Sequence, residues 1–465
     1  MVGKFPKAAS VLLLAVIIPL CLRYLRSHYL LNWEGRYEFR PTKIHQPSSV
    51  EQIASILRGA SLKGKTVTIV GSRHSWSDIA VPDDTMLSLE KYTGVVHIDK
   101  DRQLVTVRGG TTLEEIVIAI EADGLALPQL PSVSGQTIAG AIATGTHGTG
   151  IKYGNLATLV TAIEIVSGEG IVYRASENKN HDIFRTALIG LGAVGVITEV
   201  TITCVPAFNL HEVITLMPLQ QCLQQLDDIV TSSDHVKLWL EFHTQQVQVY
   251  RSNKTTSPRR DSPTGFIFNL KFYVFEYASY VMSWIPRLTG AVMWVSVNIF
   301  KCLRTGDSVG SPLEVFNIPH YFVRHPELEY GVPYNATADL IRELIAIKED
   351  MKNEISFNQI TEIRFVKGDD IWLSPAYGRD TTFITVLTYN PSDVLMHRFF
   401  KRFASSAIQH GGRPHWGKLF YETEAELRTR YLKWDEFMAV REKMDPHRVF
   451  SNSFLRRLFH LSVKQ

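Results

Sequence analysis

The sequence predicts an α+β protein made of two parts. Helix and strand patterns alternate from about residue 31 to residue 207, around segments rich in glycine and serine. From about residue 208 to residue 465 we expect a second part with an antiparallel sheet, and a C-terminal segment that returns to the first part. The 465 residues are enough for two or three domains of roughly 100 to 200 residues each.

The first informative segment is a short apolar run, Val67–Val70, followed by the small-residue turn Gly71-Ser72-Arg73-His74-Ser75. A strand that ends in such a turn exposes successive backbone N–H groups, which can hold a phosphate or the edge of a cofactor. His74 would then lie beside that cofactor. A single histidine in a turn is more often a structural residue, so the segment needs support from elsewhere in the chain.

A second segment, Ser132–Gly150, intersperses glycine and threonine with small residues. A backbone of this composition can approach an anionic ligand closely, and the hydroxyl groups supply further donors. The segment is too long and too even in its small-residue content for a plain hairpin. It therefore predicts a second ligand-binding loop.

A third segment, Gly190–Gly195, formally fits the glycine fingerprint of a dinucleotide-binding fold. That fingerprint needs a strand before it and a helix after it. Here the order is reversed, because Asp182–Leu188 has a helical pattern and Val196–Thr203 alternates like a strand. The sequence thus excludes an NAD site of this type.

A fourth pattern lies in the second part of the chain. Glu362 and Arg364 would point to one face of an extended segment, because side chains alternate with a period of two. A surface salt bridge is the commoner interpretation of such a pair. About fifty residues later, a predicted turn at Arg413-Pro414 leads into His415-Trp416-Gly417-Lys418.

Taken in this order and spacing, these motifs resemble the FAD-linked aldonolactone oxidases, an L-gulonolactone oxidase-like family of the vanillyl-alcohol oxidase superfamily. Alditol oxidases form a related branch. The resemblance runs from about Asn32 to Leu455. Its motifs are Gly71–Ala80, Ala139–Tyr153, the Gly190–Gly195 segment with the following Val-Ile-Thr, Glu362-Ile363-Arg364, Leu373-Ser374-Pro375, His415–Lys418 and Asp445-Pro446.

The resemblance implies a two-part FAD-binding domain of the vanillyl-alcohol oxidase type at residues 31–207 and an α+β cap at residues 208–465. It also implies a covalent bond between His74 and the flavin. The remaining residues implied to bind the cofactor are Gly71, Ser72, Arg73, Ser75, Ser134, Thr137, Gly140, Thr144, Gly145, Thr146, His147, Thr149, Gly195, Ile197, His415 and Lys418. The residues implied at the substrate are Ser132, Glu362, Arg364, Thr385 and Lys418.

The implied activity is the oxidation of a sugar 1,4-lactone of the L-gulono type at a secondary alcohol, with oxygen as the expected acceptor. The product would be of the ascorbate type, together with hydrogen peroxide. A fixed Lys or Arg can stabilise negative charge that develops on the flavin, and a carboxylate such as Glu362 can bind or deprotonate the alcohol. The alternatives are an alditol oxidase and a membrane flavoprotein that passes electrons to a protein.

Two positions bear on the substrate. The alditol branch carries a His-x-Thr pair where this chain has Thr385 and Leu387, which favours a lactone over a linear polyol. Ser132, in contrast, matches a substrate-contacting serine of the alditol branch. The identity of the sugar derivative therefore stays open.

Composition excludes several other classes. A net charge of +3 without a basic stripe does not indicate nucleic-acid binding. The four cysteines, Cys21, Cys204, Cys222 and Cys302, lack metal-ligand spacing, so we expect no metal and buried free thiols.

Two apolar regions point to a membrane. The first, Ala8–Leu22, is flanked by lysine and arginine and favours an uncleaved anchor within residues 1–30; a cleaved signal peptide is the alternative. We expect the membrane to be the endoplasmic reticulum, with a mitochondrial membrane as the alternative. The second region, Phe266–Phe300, fits either buried cap helices or a membrane interface.

Overall fold

A computed structural model describes residues 29–260, 277, 279–299, 305–317, 324–357, 359–389 and 392–461. The predicted membrane anchor, apart from its last two residues, lies outside this part of the chain. Within the described ranges, no helix is long and apolar enough to cross a membrane.

The strands are numbered here in chain order. They are β1 (Leu30–Leu31), β2 (Glu38–Phe39), β3 (Lys43–His45), β4 (Val67–Val70), β5 (Thr85–Ser88), β6 (Val95–Asp99), β7 (Leu104–Arg108), β8 (Leu125–Ala126), β9 (Val160–Val166), β10 (Val172–Ser176), β11 (Val196–Thr203), β12 (Val205–Pro206), β13 (Asn209–Pro218), β14 (His235–Glu241), β15 (Gln246–Thr255), β16 (Gly306–Gly310), β17 (Glu327–Pro333), β18 (Thr361–Val366), β19 (Thr381–Leu387) and β20 (Arg413–Pro414).

The α-helices are numbered in the same way. They are α1 (Val50–Leu62), α2 (Leu113–Glu121), α3 (Ile138–Ala143), α4 (His181–Ala187), α5 (Leu219–Gln224), α6 (Leu226–Thr231), α7 (Pro286–Ile299), α8 (Pro312–Phe316), α9 (Thr337–Met351), α10 (Asp393–Gln409), α11 (Glu424–Arg428), α12 (Trp434–Met444) and α13 (Ser453–Phe459).

The N-terminal part contains two sheets. The parallel sheet has the order β3-β5-β4, and the antiparallel sheet has the order β10-β9-β11-β7-β6. Strand β11 has the predicted bounds, it is rich in β-branched residues, and buried positions alternate with more exposed ones from Thr198 to Thr203. Helix α4 precedes it, so the helix-before-strand order that argued against an NAD site is confirmed.

The C-terminal part is built on one antiparallel sheet with the order β16-β13-β15-β14-β18-β19-β17-β20. Helices α9 and α10 pack together over its apolar face, through residues such as Leu344, Phe399 and Phe403 that are fully buried. The predicted antiparallel sheet with Glu362 and Arg364 on one strand is therefore confirmed, because both residues lie on β18.

The C-terminal segment packs against the N-terminal part. Tyr431, Trp434 and Phe454 share a core with Ile116 and Ile163 from the antiparallel sheet and helix α2. Asp445 stabilises a turn in this C-terminal segment, because its carboxylate accepts hydrogen bonds from the N–H groups of two later residues at 2.7 and 2.8 Å. The domain bounds at 207 and 208 stay a prediction, although they fall between β12 and β13.

Two local predictions were wrong. The segment Ser132–Gly150 is not loop throughout, because Ile138–Ala143 forms α3, with four of its six apolar and small residues buried. The predicted turn at Arg413-Pro414 is instead the edge strand β20, which pairs with β17. Proline is tolerated there because an edge strand need not donate on its outer side.

The described part of the second apolar region is neither wholly buried nor wholly exposed. Met293 and Thr289 are buried, whereas Trp284, Leu288 and Trp294 are exposed. The two described cysteines, Cys204 and Cys222, are buried and free, as predicted, and burial raises the pKa of both thiols to about 11.

Candidate active site

A large cleft lies between the two parts of the molecule, with an empty volume of about 1680 Å³ that includes its open mouth. It brings together residues from all four sequence segments. The predicted site residues that line it are Gly71, Ser72, Arg73, His74, Ser75, Ser132, Thr137, Gly140, Thr144, Thr146, His147, Gly195, Ile197, Glu362, Arg364, Thr385, His415 and Lys418.

The histidine-bearing turn follows β4 directly and is tied to the second segment. Arg73 adopts a left-handed backbone conformation with φ of 61°, which bends the chain sharply after Ser72. The Ser72 hydroxyl accepts a hydrogen bond from the backbone N–H of Thr137 at 2.9 Å. A Cβ atom at Gly71 would lie 2.2 Å from Thr137 Oγ1, so this close approach requires glycine.

His74 is half-buried at the wall of the cleft. Its ring is stacked with that of Trp33, with 6.3 Å between the centroids. Gly135 of the second segment is also a neighbour, since a Cβ added there would lie in ordinary van der Waals contact, 3.8 Å from His74 Nε2. The imidazole therefore lies between the first two sequence segments, facing the cleft.

Three strands of the cap sheet present polar side chains to the same cleft. In the register of β17, β19 and β18, Glu329 is opposite Thr385 and Thr385 is opposite Glu362. Paired residues of an antiparallel sheet share a face, so these three side chains form a row. Arg364 lies two residues beyond Glu362 on the same face.

Arg364 is held between two carboxylates. Its Nη2 donates to Glu329 Oε1 at 2.5 Å, and its Nε lies 3.4 Å from Glu362 Oε2. Burial would lower the pKa of the Arg364 guanidinium, but Glu329 and Glu362 raise it above its ordinary value. Burial would likewise raise the pKa of Glu329, yet Arg364 and His147 hold it well below the ordinary range. The pair is fully ionised at neutral pH.

Lys418 is the second cation. Its ammonium group donates to Glu327 and lies 3.3 Å from the centroid of the Trp76 ring. Glu327 also pairs with His325, whose Nε2 lies 3.0 Å from Glu327 Oε1. Burial would raise the pKa of Glu327, but Lys418 and His325 lower it to about 2.

His147 and His415 are buried close to Glu329, and the three side chains could be taken for a metal site. Burial lowers the pKa of both histidines, that of His415 to about 3, so both rings are neutral at pH 7. Glu329 Oε1, however, already accepts hydrogen bonds from Arg364 and Thr385. A metal ion would face the positive charge of Arg364 there, so the arrangement argues against one.

The cleft fits a large cofactor with polar groups. Three buried atoms of lining residues lack hydrogen-bond partners within the described residues, namely His147 Nε2, Glu329 Oε2 and Arg364 Nε. Buried polar atoms without partners are rare in folded proteins, so a ligand or water is expected to satisfy them. At the other end, the small-residue turn after β4 offers backbone N–H groups suited to a phosphate.

Three predicted cofactor residues do not line the cleft. Ser134 lies beside it, with its N–H donating to Asn317 Oδ1 at 3.3 Å. Gly145 ends helix α3 with φ of 73°. The Thr149 hydroxyl donates to the carbonyl of Val236 and so ties the second segment to the cap. Their assignments, like the roles of the lining residues, stay predictions.

The fold and the cleft define an FAD-dependent oxidoreductase of the vanillyl-alcohol oxidase type. Residues 41–176 match the model of an FAD-binding domain. A solved structure of cholesterol oxidase from B. sterolicum is similar in fold, with a TM-score of 0.79 at 18% identity over 93% of this chain and 96% of that one.

Residues 200–458 match the model of the D-arabinono-1,4-lactone oxidase family. The chain is 32% identical to L-gulonolactone oxidase of Mus musculus over 92% of its length and 98% of the relative's. It is also 32% identical to L-gulono-1,4-lactone dehydrogenase of Mycobacterium tuberculosis, with the same coverage. The chain therefore belongs to this family and is an FAD-dependent aldonolactone-oxidising enzyme.

Proposed function

We propose that the protein oxidises an L-gulono-type 1,4-lactone at its C2 hydroxyl, using FAD bound covalently through His74 and oxygen as the acceptor. The 2-keto lactone enolises to an ascorbate-type product, and oxygen is reduced to hydrogen peroxide. The observation that carries the proposal is the grouping of one accessible carboxylate, Glu362, with the cations Arg364 and Lys418 in the cleft that His74 lines.

FAD supplies the two-electron acceptor that takes the hydride from C2 of the lactone. The proton of the C2 hydroxyl must also leave its oxygen, and we assign Glu362 as the carboxylate that receives it. Its side chain is 16% exposed, whereas that of Glu329 is fully buried. Trp239 Nε1 donates to Glu362 Oε1 at 3.2 Å and so orients the carboxylate.

Arg364 and Lys418 provide fixed positive charge in a largely buried cleft. Charge that is positioned before the reaction stabilises negative charge as it develops, without a cost of reorganisation. Arg364 also lies next to Glu362, with 3.4 Å between its Nε and Glu362 Oε2, so its charge is close to the carboxylate assigned to the alcohol proton. Both cations are therefore assigned to the chemical step.

The preference for a lactone over a linear alditol has separate support. The Thr385 hydroxyl donates to Glu329 at 2.8 Å, and Leu387 is almost fully buried. The Thr385 hydroxyl is thus engaged with Glu329 and Leu387 carries no polar group, so these two positions lack the His-x-Thr chemistry of the alditol branch. Curated relatives named for L-gulono- and D-arabinono-1,4-lactone favour the same substrate class.

The decisive experiment measures turnover of the purified, FAD-loaded protein with L-gulono-, L-galactono- and D-arabinono-1,4-lactone, and with xylitol and sorbitol. Oxygen uptake and hydrogen peroxide are followed together, and an artificial electron acceptor is tested in parallel. We expect lactone-dependent oxygen uptake with an equal amount of peroxide. Turnover with the artificial acceptor alone would reject oxygen as the acceptor, and turnover of alditols alone would reject the lactone.

We also propose that the protein is attached to a membrane, in the endoplasmic reticulum. The apolar stretch Ala8–Leu22 with its flanking cations supports this, as do the exposed side chains of Trp284, Leu288 and Trp294. The full chain should pellet with membranes and resist extraction by carbonate. A chain that starts at Tyr29 should be released more readily, and recovery of the full chain in the soluble fraction would reject the proposal.

A further inference from the structure

Two acidic residues of one strand face Lys418 and Arg364 in the cleft. Glu327 and Glu329 are separated by one residue on β17 and therefore point to the same face. Leu328, between them, points to the opposite face and is fully buried in the cap core. Strand β17 thus presents two carboxylates to the cleft, and the other cap strands present Glu362 and Thr385 beside them.

Each carboxylate is committed to one cation. Glu329 binds Arg364 at 2.5 Å and receives a second hydrogen bond from Thr385 at 2.8 Å. Glu327 binds Lys418 and pairs with His325. Both carboxylates are at least nine-tenths buried, and buried charges are stable only when they are paired and hydrogen-bonded.

The backbone of the same strand also holds the segment that carries Lys418. The N–H of His415 donates to the carbonyl of Glu329 at 3.0 Å, and the N–H of Leu419 donates to the carbonyl of Glu327 at 3.1 Å. Strand β17 therefore fixes Lys418 twice, through its backbone neighbours and through its ammonium group. The ammonium group of Lys418 therefore has little freedom to move to another partner.

We propose that Glu327 and Glu329 are positioning residues that fix Lys418 and Arg364 and offset their charge, and thereby set the reduction potential of the bound FAD. The inference rests on the proposed role of these two cations at the flavin. Reduction of FAD adds electrons to the ring, and positive charge nearby favours it while negative charge opposes it. Two paired carboxylates at the cleft wall therefore keep the potential lower than the cations alone would set it.

The test removes each negative charge while keeping the side-chain shape. In Glu329→Gln and Glu327→Gln, the amide oxygen can still accept a hydrogen bond from the cation. We measure the two-electron potential of the bound flavin and its affinity for sulfite, which adds to oxidised flavin and leaves negative charge on the ring. Sulfite should bind about tenfold more tightly to each variant, which corresponds to a potential about 30 mV higher.

A matched control is Glu422→Gln. Glu422 is also largely buried, but it accepts hydrogen bonds from Tyr330 on the opposite face of β17 and does not line the cleft. The Glu422→Gln variant should leave the reduction potential of the bound FAD and the sulfite affinity unchanged. If these buried carboxylates had a purely structural role, the reduction potential and the sulfite affinity would change alike in all three variants.

An unchanged or lowered potential in both cleft variants would overturn the inference. If Glu329→Gln fails to bind FAD, the reduction potential of Glu327→Gln alone tests the inference. The double variant Glu327→Gln/Lys418→Met then tests whether these two residues act as a unit. Failure of the proposed function looks different. In that case Lys418→Met itself would leave flavin reduction unchanged.

Discussion

The ammonium group of Lys418 lies 3.3 Å from the centroid of the Trp76 ring and is bonded to the carboxylate of Glu327. A cation held between an aromatic face and a buried carboxylate is fixed before any substrate arrives. The cost of orienting it is thus met by folding and not during the reaction. This arrangement makes the charge of Lys418 the clearest target for mutagenesis.

Lys418→Met should slow the reduction of the flavin by the lactone about a hundredfold or more, which is the scale for loss of one preorganised charge. Anaerobic single-turnover absorbance of the FAD-loaded protein measures this step directly. Lys401→Met is the matched control, because Lys401 lies 5.6 Å from the ring of Tyr421 but does not line the cleft. An unchanged rate in a fully loaded Lys418→Met protein would remove the lysine from the mechanism.

Gly71→Ala should sharply reduce the FAD content of the purified protein. The added methyl group would lie 2.2 Å from Thr137 Oγ1, so the Thr137 side chain must rotate or the turn with His74 must move away from the segment that begins at Ser132, and either change disturbs the cleft wall. Flavin absorbance relative to protein absorbance measures the effect. Gly59→Ala is the control, because a Cβ there meets nothing within 4 Å and should leave the FAD content unchanged. Normal loading of Gly71→Ala would show that the close approach is not needed.

Covalent attachment through His74 predicts that FAD stays with the denatured protein. Acid-precipitated wild-type protein should remain yellow, and a peptide that contains His74 should carry the mass of the flavin. His74→Ala should release any FAD it binds into the supernatant. Free FAD from fully loaded wild-type protein would disprove the bond, although it would leave the FAD site itself intact.

The sequence predicted the parts of the site that are encoded locally. The strand Val67–Val70 follows from a short apolar run that ends in a small-residue turn, and the shared face of Glu362 and Arg364 follows from the period-two pattern of an extended segment. Glu327 and Glu329 were missed, because their partners are 91 and 35 residues away in the chain. An alternating Glu-x-Glu is equally typical of a solvated strand face, and only the pairing of β17 with β19 and β20 places it beside the cations.

Replacement of Thr385 by His together with Leu387 by Thr should narrow the preference for lactones. In the wild-type protein we expect kcat/KM for lactones to exceed that for linear alditols by at least about tenfold, roughly the cost of one lost polar contact. The double variant restores the polar pair of the alditol branch. Thr385→Val is the control, since it removes only the hydrogen bond to Glu329. A wild-type preference for xylitol or sorbitol would overturn the lactone assignment.

Lys348 predicts a pH dependence of stability that is separate from catalysis. Its ammonium group is buried against Phe242 and Phe357 and donates to Thr361 Oγ1 at 2.7 Å. Burial lowers the pKa of Lys348 to about 8, although Glu241 opposes the shift. Between pH 8 and the ordinary value near 10.4, the unfolded chain binds more protons than the folded one, so the free energy of unfolding rises with pH.

The free energy of unfolding of the wild-type protein, relative to Lys348→Met, should therefore rise by about 3 kcal/mol between pH 8 and pH 10.5. Methionine fills a similar volume without a charge, so the difference between the two proteins isolates the titration of Lys348. Urea unfolding at several pH values measures it. Lys352→Met, at the exposed end of α9, provides the baseline for removal of a lysine charge. A difference between wild type and Lys348→Met that stays constant over this pH range would show that the lysine keeps its ordinary pKa. The charge of Glu241 and the hydrogen bond to Thr361 would then compensate fully for its burial.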